Sequence, residues 1–430
     1  MYRRPTTGGK EISCSFVVQK HDASGMSLIV AILLLLVVSR VAAEIAERVH
    51  QPAMIGEIVA GLILGPTVFG LIRESPELTA IADIGLLMLV LLAGMEIELR
   101  QLVDAFKGRN LWISVMGFVV PLALGIATGI AMGLDANRTL FVGLCIAITA
   151  LPVSIRILMD IGRLHTTIGQ RIIGAAIAND VLALLLLGVI VNANAKGVAW
   201  HEVLASSGMP TVKVLVFMGA VLLAGQALNK AAAMAHLDRL RERLATRLRV
   251  KEPVFAATLL FVIVFAALAE LLGLHFVVGA FFGAVLLNHD LLGQQQFEQA
   301  RRTASAVSMG FLAPLFFASI GLAFDRSGLS DLWLTMMVIV AAFVGKILAG
   351  RVGGWLAGMR PAESWALGYG LNGRGIMELV VARIGLSSGL IGSGLFSVLV
   401  LMGMITTIVT PTLLKRAFEA ADREQAQLER

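Results

Sequence analysis

Thirteen apolar segments, each roughly as long as a membrane-crossing helix, constrain this 430-residue chain more than any other feature. A bilayer holds no water to satisfy backbone N–H and C=O groups, so apolar runs of about 20 residues cross it as helices. Hydrophobic residues make up 57% of the chain and charged residues only 15%. The sequence therefore predicts an all-α polytopic membrane protein with about 13 transmembrane helices. The predicted spans are 26–44, 53–72, 80–99, 111–132, 139–158, 168–191, 211–230, 254–273, 275–289, 306–324, 331–354, 363–386 and 391–414.

These spans divide the chain into five regions. Residues 1–25 are polar and lack the apolar core of a signal peptide, which predicts an N-terminal tail. The other regions are spans 1–6 (26–191), span 7 with a basic loop (192–253), spans 8–13 (254–414) and a short cytoplasmic tail (415–430). The two cysteines, Cys14 and Cys145, form no metal or disulfide pattern, and no cofactor is expected.

Positive charges in the connecting loops predict the orientation. Lys and Arg concentrate on the side that holds the C-terminus, so the positive-inside rule places the C-terminus in the cytoplasm and the N-terminus outside. This bias accounts for most of the net charge of +6 without a nucleic-acid partner. The basic loop at 230–251 could also contact anionic membrane lipids. A bacterial inner membrane is the expected location.

One carboxylate, Asp180, lies near the centre of span 6. An ionisable group in hydrocarbon is costly unless it faces a polar cavity or a partner, so Asp180 is a candidate functional residue. With a rise of about 1.5 Å per residue, Asp180 and Lys346 of span 11 both lie roughly 12 Å from the cytoplasmic surface. The shared depth predicts either a pair whose protonation responds to its surroundings or a static ion pair between two helices.

Two spans in corresponding positions of the two halves contain helix-breaking residues. Span 5 contains Thr-Ala-Leu-Pro at 149–152, and span 12 contains a glycine-rich stretch at 369–375. Proline removes a helical hydrogen bond and glycine lowers the cost of unwinding, so both stretches can expose carbonyl and amide groups in mid-membrane. Paired broken helices indicate a transporter's binding site, whereas ordinary kinks would have no such role.

Three other charged residues within the predicted spans are candidates for supporting the site. Glu96 lies near the end of span 3, where its carboxylate can reach water, which favours helix packing or an ion pair at the rim. Arg374 and Glu378 are four residues apart on one helical face, which favours mutual neutralisation. Arg374 could instead bind Glu96 or repel cations from a wrong path.

Seven motifs follow one another from span 2 to span 12. They are QPAMIGEIVAGLILGP (51–66), LLAGMEIEL (91–99), ITALPV (148–153), ANDV (178–181), APLFFASIGL (313–322), GKI (345–347) and NGRGIMEL (372–379). In this order and spacing, the chain resembles the Kef/NapA-type branch of the monovalent cation:proton antiporters, and in particular its plant CHX-type members.

The resemblance implies an NhaA-like fold of two inverted six-helix repeats. Spans 4–6 and 11–13 would form a core domain with crossed broken helices, and the other spans would form the dimerisation domain of a homodimer. In an elevator mechanism the core slides against this scaffold, and Asp180 faces each side in turn. The implied exchange pair is Asp180 and Lys346, the implied alkali-ion ligands are Asp180, Asn179, Thr149, Ala150 and Pro152, and the supporting residues are Arg374, Glu378, Glu96, Asn372 and Ser319.

Asn179 is the main departure from part of this family. Electrogenic relatives carry two adjacent aspartates, so asparagine before Asp180 implies electroneutral one-for-one exchange. The retained Lys346 would raise the count to two protons per cation if it also exchanged a proton. Asn179 is about 100° around the helix from Asp180, so its amide is expected to tie the ends of the broken helices. Only 412–430 follow Pro411, so a separate subunit could replace the regulatory domain of Kef proteins.

Three functions stand as alternatives, and none of them is enzymatic. The first is secondary antiport of Na⁺ or K⁺ against protons, serving pH homeostasis, with Asp180 binding a proton or a cation competitively. The second is sodium-coupled symport of an organic anion on the same fold. The third is a sensor or gated leak. Asp180, Lys346, both broken helices and the ordered motifs favour the first.

Overall fold

The computed structural model describes residues 26–97, 104–198, 252–272 and 274–428. Within these ranges the chain is helical and contains no β-strand, as the sequence predicts. The first half contains α1 (Leu28–Arg48), α2 (Ala53–Leu64), α3 (Pro76–Met95), α4 (Gly108–Ala131), α5 (Ala136–Ala147), α6 (Leu151–Asp160) and α7 (Thr167–Ala195). The second half contains α8 (Pro253–Leu271), α9 (Phe276–Leu286), α10 (Gln294–Val307), α11 (Ala313–Leu322), α12 (Leu332–Leu356), α13 (Pro361–Gly370), α14 (Ile376–Ser387) and α15 (Ser393–Leu428). A π-helix, Ser308–Leu312, joins α10 to α11.

Nine helical segments of the described residues are long and apolar enough to cross a membrane, and α2 and α9 are shorter apolar helices. Each predicted span in the described ranges overlaps one or more of the helices α1–α15, and the span at 363–386 overlaps α13 and α14. The predicted span at 211–230, most of the linker region 192–253 and the N-terminal tail lie outside the described residues. At the other end, α15 continues without a break through the predicted tail to Leu428.

Both predicted interruptions separate two helices. In the first half, α5 ends at Ala147 and α6 begins at Leu151. Pro152 lies in the first turn of α6, where its missing N–H removes no helical hydrogen bond. In the second half, α13 ends at Gly370 and α14 begins at Ile376. The chain is therefore unwound twice within the bundle.

The two unwound stretches cross in direct contact. The Ala150 N–H donates to the Gly373 carbonyl oxygen at 2.8 Å, and Thr149 Oγ1 donates to the Leu371 carbonyl oxygen at 3.2 Å. A Cβ atom at position 373 would lie 2.9 Å from Ser154 Oγ. A larger residue at position 373 would therefore require the Ser154 side chain to move.

The helices form two groups. The crossing group consists of α4–α7 and α12–α15, and its members pack mainly against one another. The flanking group consists of α1–α3 and α8–α11 and is likewise connected within itself. The crossing group contains spans 4–6 and 11–13, which the resemblance assigns to the core domain, and the flanking group contains the other described spans.

Small residues bring α12 close to its neighbours in the crossing group. A Cβ atom at Gly345 would lie 3.0 Å from Pro121 of α4, and one at Gly350 would lie 2.2 Å from the Cα of Gly368 in α13. Side chains at these positions would separate the helices. Their absence places Lys346, one residue after Gly345, between α4 and the first helix break.

One end of the bundle is rich in basic residues. It is the end where α1 and α6 finish and α7 begins, and we name it the arginine-rich face. The basic residues near this end are Arg48, Arg156, Arg163, Arg171, Arg351, Arg360, Lys415 and Arg416. Arg163 pairs with Asp422, and Arg360 Nη2 lies 3.3 Å from Gln425 Oε1. The end of α15 therefore packs on the loops that precede α7 and α13.

Candidate ion-binding site

Lys346 is fully buried in α12 and donates to three uncharged oxygens. Its Nζ atom lies 2.7 Å from Thr149 Oγ1 and 3.1 Å from the Gly117 carbonyl oxygen, and it also contacts the Ala147 carbonyl oxygen. These three acceptors use all three protons of an ammonium group. The interpretation of Lys346 as the static partner of Asp180 is wrong, because the salt bridges of the described residues do not include this pair.

The Gly117 carbonyl is available because of a proline one turn later. Pro121 lies inside α4 and has no N–H to donate to the carbonyl of residue 117. That oxygen instead accepts from Lys346 Nζ at 3.1 Å and from Asn179 Nδ2 at 3.3 Å. The sequence analysis missed Gly117, although Pro121 in the middle of span 4 is a signal that could have identified it.

The Thr149 hydroxyl connects the two halves of the site. It donates to the Leu371 carbonyl oxygen and accepts from Lys346 Nζ at 2.7 Å and from Asn179 Nδ2 at 3.2 Å. A hydroxyl has one proton and two lone pairs, so all of its hydrogen-bonding capacity is used. A cation ligand from Thr149 would therefore have to be its main-chain carbonyl in this arrangement.

Asn179 ties the first helix break to α4, whereas the sequence predicts that its amide ties the ends of the two broken helices. Its Nδ2 atom donates to Thr149 Oγ1 and to the Gly117 carbonyl oxygen. Its Oδ1 atom is buried and has no hydrogen-bond partner in the described part of the chain. An amide oxygen in this state is a free neutral ligand next to Asp180 in sequence.

Asp180 lies in the middle of α7 and is 2% exposed. Its Oδ1 atom has no hydrogen-bond donor among the described residues. A buried carboxylate oxygen without a donor is costly unless it binds a proton or a cation. Lys346 and Asp180 thus differ in how their hydrogen-bonding groups are satisfied. Lys346 has an uncharged acceptor for each of its three protons, whereas Asp180 Oδ1 has no donor among the described residues.

Arg374 fixes the end of α5. Its Nη1 and Nη2 atoms donate to the carbonyl oxygens of Cys145 and Ile146 at 2.5 and 2.7 Å. The main-chain carbonyl oxygen of Arg374 accepts from the Thr407 hydroxyl at 2.9 Å. Arg374 Nη1 also lies 3.5 Å from Glu378 Oε2, which confirms the predicted neutralising pair. The alternative pairing of Arg374 with Glu96 does not occur among the salt bridges of the described residues.

The remaining predicted site residues occupy different positions. Ala150 lies at the crossing and Pro152 in the first turn of α6. Asn372 donates to the Gly368 carbonyl oxygen at 3.2 Å, and its own Oδ1 atom is buried without a partner in the described ranges. Glu96 follows the end of α3 and is exposed. Ser319 lies on α11 of the flanking group, where its hydroxyl donates to the Phe316 carbonyl oxygen at 2.7 Å, so the structure does not bring it to the crossing.

Two broken helices that cross beside a buried carboxylate, in a bundle of membrane-length helices, define an integral membrane transporter rather than an enzyme. The family profile described as "Sodium/hydrogen exchanger, transmembrane" matches residues 28–420. The chain belongs to this sodium/hydrogen exchanger family.

Individual relatives agree with this assignment. The chain is 28% identical over 393 residues to the Na(+)/H(+)-K(+) antiporter GerN of Bacillus cereus, which covers 91% of this chain and 96% of that protein. It is 30% identical over 423 residues to Cation/H(+) antiporter 20 of Arabidopsis thaliana, covering 90% of this chain and 48% of the plant protein. The structure of the sodium proton antiporter MjNhaP1 from Methanocaldococcus jannaschii superposes with a TM-score of 0.67 at 18% identity, covering 91% and 96% of the two chains.

Proposed function

We propose that this protein is a secondary antiporter that exchanges an alkali cation, Na⁺ or K⁺, for a proton at Asp180. The observation that carries the proposal is the buried Oδ1 atom of Asp180, which has no hydrogen-bond donor in the described residues. A proton or a dehydrated cation can satisfy this oxygen, but the two cannot occupy it together. Competition for one carboxylate couples the opposite movements without a covalent step.

The oxygens around the crossing suit a hard cation. Besides Asp180, they include the unpartnered Asn179 Oδ1 atom and the main-chain carbonyls at the first break, near Ala150. Carboxylate and carbonyl oxygens are the ligands that hard cations bind in proteins, a rule extended here by analogy from Ca²⁺ and Mg²⁺. The Thr149 and Lys346 side chains act in this scheme by holding the broken helices rather than by binding the ion.

The proposed stoichiometry is one proton per cation, which makes exchange electroneutral. Lys346 supports this stoichiometry because its three hydrogen bonds are all to uncharged oxygens, an arrangement that suits the ammonium form throughout the cycle. Asn179 stands where a second aspartate would be needed for a further exchangeable proton. Asp180 is then the single carrier.

Alternating access is proposed to occur by sliding of the crossing group against the flanking group. Two ion pairs connect the groups, one at each end of the bundle. Arg156 Nη1 lies 3.3 Å from Glu47 Oε1 at the arginine-rich face, where both side chains are half exposed, and Arg383 Nη1 lies 2.7 Å from Glu74 Oε1 at the opposite face, where the arginine is buried. The exposed Arg156–Glu47 pair is weak enough to break and re-form during a cycle.

The proposed setting is a bacterial inner membrane, with the arginine-rich face in the cytoplasm, as the positive-inside rule predicts. A homodimer formed through the flanking group is part of the same proposal. A separate subunit that replaces the regulatory domain of Kef proteins is also part of the proposal.

The decisive experiment is exchange in proteoliposomes that contain a pH-reporting dye, pulsed with Na⁺ and then with K⁺. The membrane potential is clamped at zero and then at a negative value. Wild type is expected to move protons at a rate independent of voltage, whereas Asp180→Asn moves none. The surface variant Glu298→Gln, whose carboxylate pairs only with Arg301 among the described salt bridges, is the matched control and should exchange like wild type.

Two outcomes would contradict the proposal. If no alkali cation moves protons in folded wild-type protein, antiport is wrong, and symport or sensing becomes the better account. If Asp180→Asn retains exchange, Asp180 is not the carrier. Exchange that accelerates with voltage would contradict the electroneutral stoichiometry alone.

A further inference from the structure

Glu378 is a second buried carboxylate that the exchange step does not use. It lies in the first turn of α14 and is 1% exposed. Neither Oε1 nor Oε2 has a hydrogen-bond partner in the described part of the protein, and its one ionic neighbour is Arg374 at 3.5 Å. A carboxylate buried without donors is poorly satisfied, so its environment leaves room for a proton or a water molecule.

A small cavity adjoins this carboxylate where the two helix groups meet. Its volume is about 10 Å³, close to the space that one water molecule needs. The flanking group contributes Met54 and Ile58 from α2, and the crossing group contributes Gly403 and Thr407 from α15. A Cβ atom at Gly403 would lie 3.2 Å from both carboxylate oxygens, so glycine keeps this space open.

A larger cavity lies at the arginine-rich face, next to the small one. It has a volume of about 550 Å³, and Thr407 lines both cavities. Towards the face its wall continues along α15 through Pro411 and Lys415. Pro411 has no N–H for the Thr407 carbonyl four residues earlier, which leaves that oxygen able to bind water. Thr407 therefore stands between the cavity at the arginine-rich face and the small cavity beside Glu378.

The charged and titratable groups around Glu378 come from two helices and from the unwound stretch before α14. Arg374 lies one turn earlier in that unwound stretch, Lys346 acts on Glu378 from α12, and the Cys145 thiol faces it from α5. The sides formed by α2 and α15 contribute only uncharged residues to the cavity. Changes in the charge of Glu378 therefore act mainly on Arg374.

Arg374 transmits this charge to the ion site. Its guanidinium binds the Cys145 and Ile146 carbonyls, which are the last turn of α5 before the break. When Glu378 is ionised, it offsets the positive charge of Arg374 beside the crossing. When Glu378 is protonated, that positive charge is uncompensated and opposes a cation at Asp180.

We propose that Glu378 is a regulatory proton-binding site, reached from the arginine-rich face, whose ionisation strengthens cation binding at Asp180. The inference rests on the antiport function proposed above. The proton on Glu378 returns to the side from which it came, because its proposed access is from the arginine-rich face alone. Glu378 thus changes the affinity for the cation and leaves the one-for-one stoichiometry unchanged.

The test is the apparent KM for the cation in oriented proteoliposomes, with pH varied on the side of the arginine-rich face. Competition with one proton raises the apparent KM by at most about tenfold per unit of acidification, whereas two linked protons raise it by up to about 100-fold. Wild type is expected to exceed the tenfold limit in part of the range. Glu378→Gln should exchange but stay within that limit at every pH.

A second variant leaves Glu378 and its ion pair in place. Gly403→Ala puts a methyl group against the carboxylate, which excludes water and disfavours the charged form. It should move the steep part of the KM profile to higher pH. Gly392→Ala is the matched control, because a Cβ at that position meets open space, and its profile should equal that of wild type.

Several results would overturn the inference. The first is a wild-type KM profile that stays within the tenfold limit, and the second is a Glu378→Gln profile as steep as that of wild type. If Glu378→Gln does not fold, an unshifted KM profile in Gly403→Ala overturns the inference instead. A reversal potential showing two protons per cation in wild type and one in Glu378→Gln would make Glu378 a carrier, which also overturns it. Each of these results differs from loss of exchange in wild type, which alone would refute antiport.

Discussion

Lys346 donates to oxygens from α4 and from the first helix break, so its charge holds these elements together instead of neutralising Asp180. A lysine in this position replaces the hydrogen bonds that the unwound backbone lacks. The sequence placed Lys346 and Asp180 at one depth, which suggested a pair. It could not show that carbonyl groups lie closer, because main-chain oxygens leave no side-chain signal.

This role predicts a stability defect in Lys346→Ala. The substitution leaves two buried carbonyls and the Thr149 hydroxyl without a charged donor, and an unsatisfied buried group costs about 1–3 kcal/mol. We expect the free energy of unfolding to fall by about 3 kcal/mol or more, and any residual exchange to stay independent of voltage. Denaturant unfolding in detergent measures the loss. The control is Val344→Ala on the same helix, because Val344 is 41% exposed. Equal stability of the Lys346→Ala and Val344→Ala variants would refute the structural role of Lys346.

At the level of the helices, prolines decide where the backbone becomes available. Pro121 frees the Gly117 carbonyl inside α4, while Pro152 lies in the first turn of α6 and marks where that helix begins after the crossing. The break before Pro152 was predictable because this proline lies in mid-span and a glycine-rich stretch occupies the corresponding position in the second half. Pro121 alone does not predict a freed carbonyl, because a single proline inside an apolar span is common. Its effect depends on Lys346 and Asn179, which approach only through tertiary packing.

Pro121→Ala tests this role of the proline. Alanine restores an N–H that can bond the Gly117 carbonyl within α4, in competition with Lys346 and Asn179. We expect α4 itself to become more regular, while exchange slows several-fold because the first break is held less firmly. The same dye assay measures the rate. Pro253→Ala is the control, since Pro253 begins α8 and its missing N–H removes no helical bond; a wild-type rate in Pro121→Ala would contradict the argument.

For the whole molecule, the contacts separate a crossing group from a flanking group, and the family resemblance implied that spans 4–6 and 11–13 form one group. The sequence could not predict how the groups touch, because those contacts depend on tertiary placement. Two ion pairs, Arg156–Glu47 and Arg383–Glu74, lie at opposite ends of the boundary between the groups. A sliding mechanism requires that these contacts change during each cycle.

Crosslinking at this boundary tests the sliding mechanism. In a background without Cys14 and Cys145, cysteines replacing Glu47 and Arg156 are joined by a short bifunctional thiol reagent. We expect exchange to stop on crosslinking, because the two groups can no longer move past each other. A crosslink between cysteines replacing Arg163 and Asp422, both within the crossing group, should leave exchange unchanged. Full exchange with positions 47 and 156 crosslinked would rule out sliding at this boundary.

The length of α15 has a practical consequence for observing such motion. Its 36 residues extend about 54 Å, from Ser393 past Glu378 to the arginine-rich face and onto the loops that it contacts there. A probe near Leu428 would lie at the end of a long helix whose middle moves together with the ion site. Small rotations of the crossing group would be magnified there into displacements that fluorescence energy transfer or spin-label distances can follow in single transport cycles.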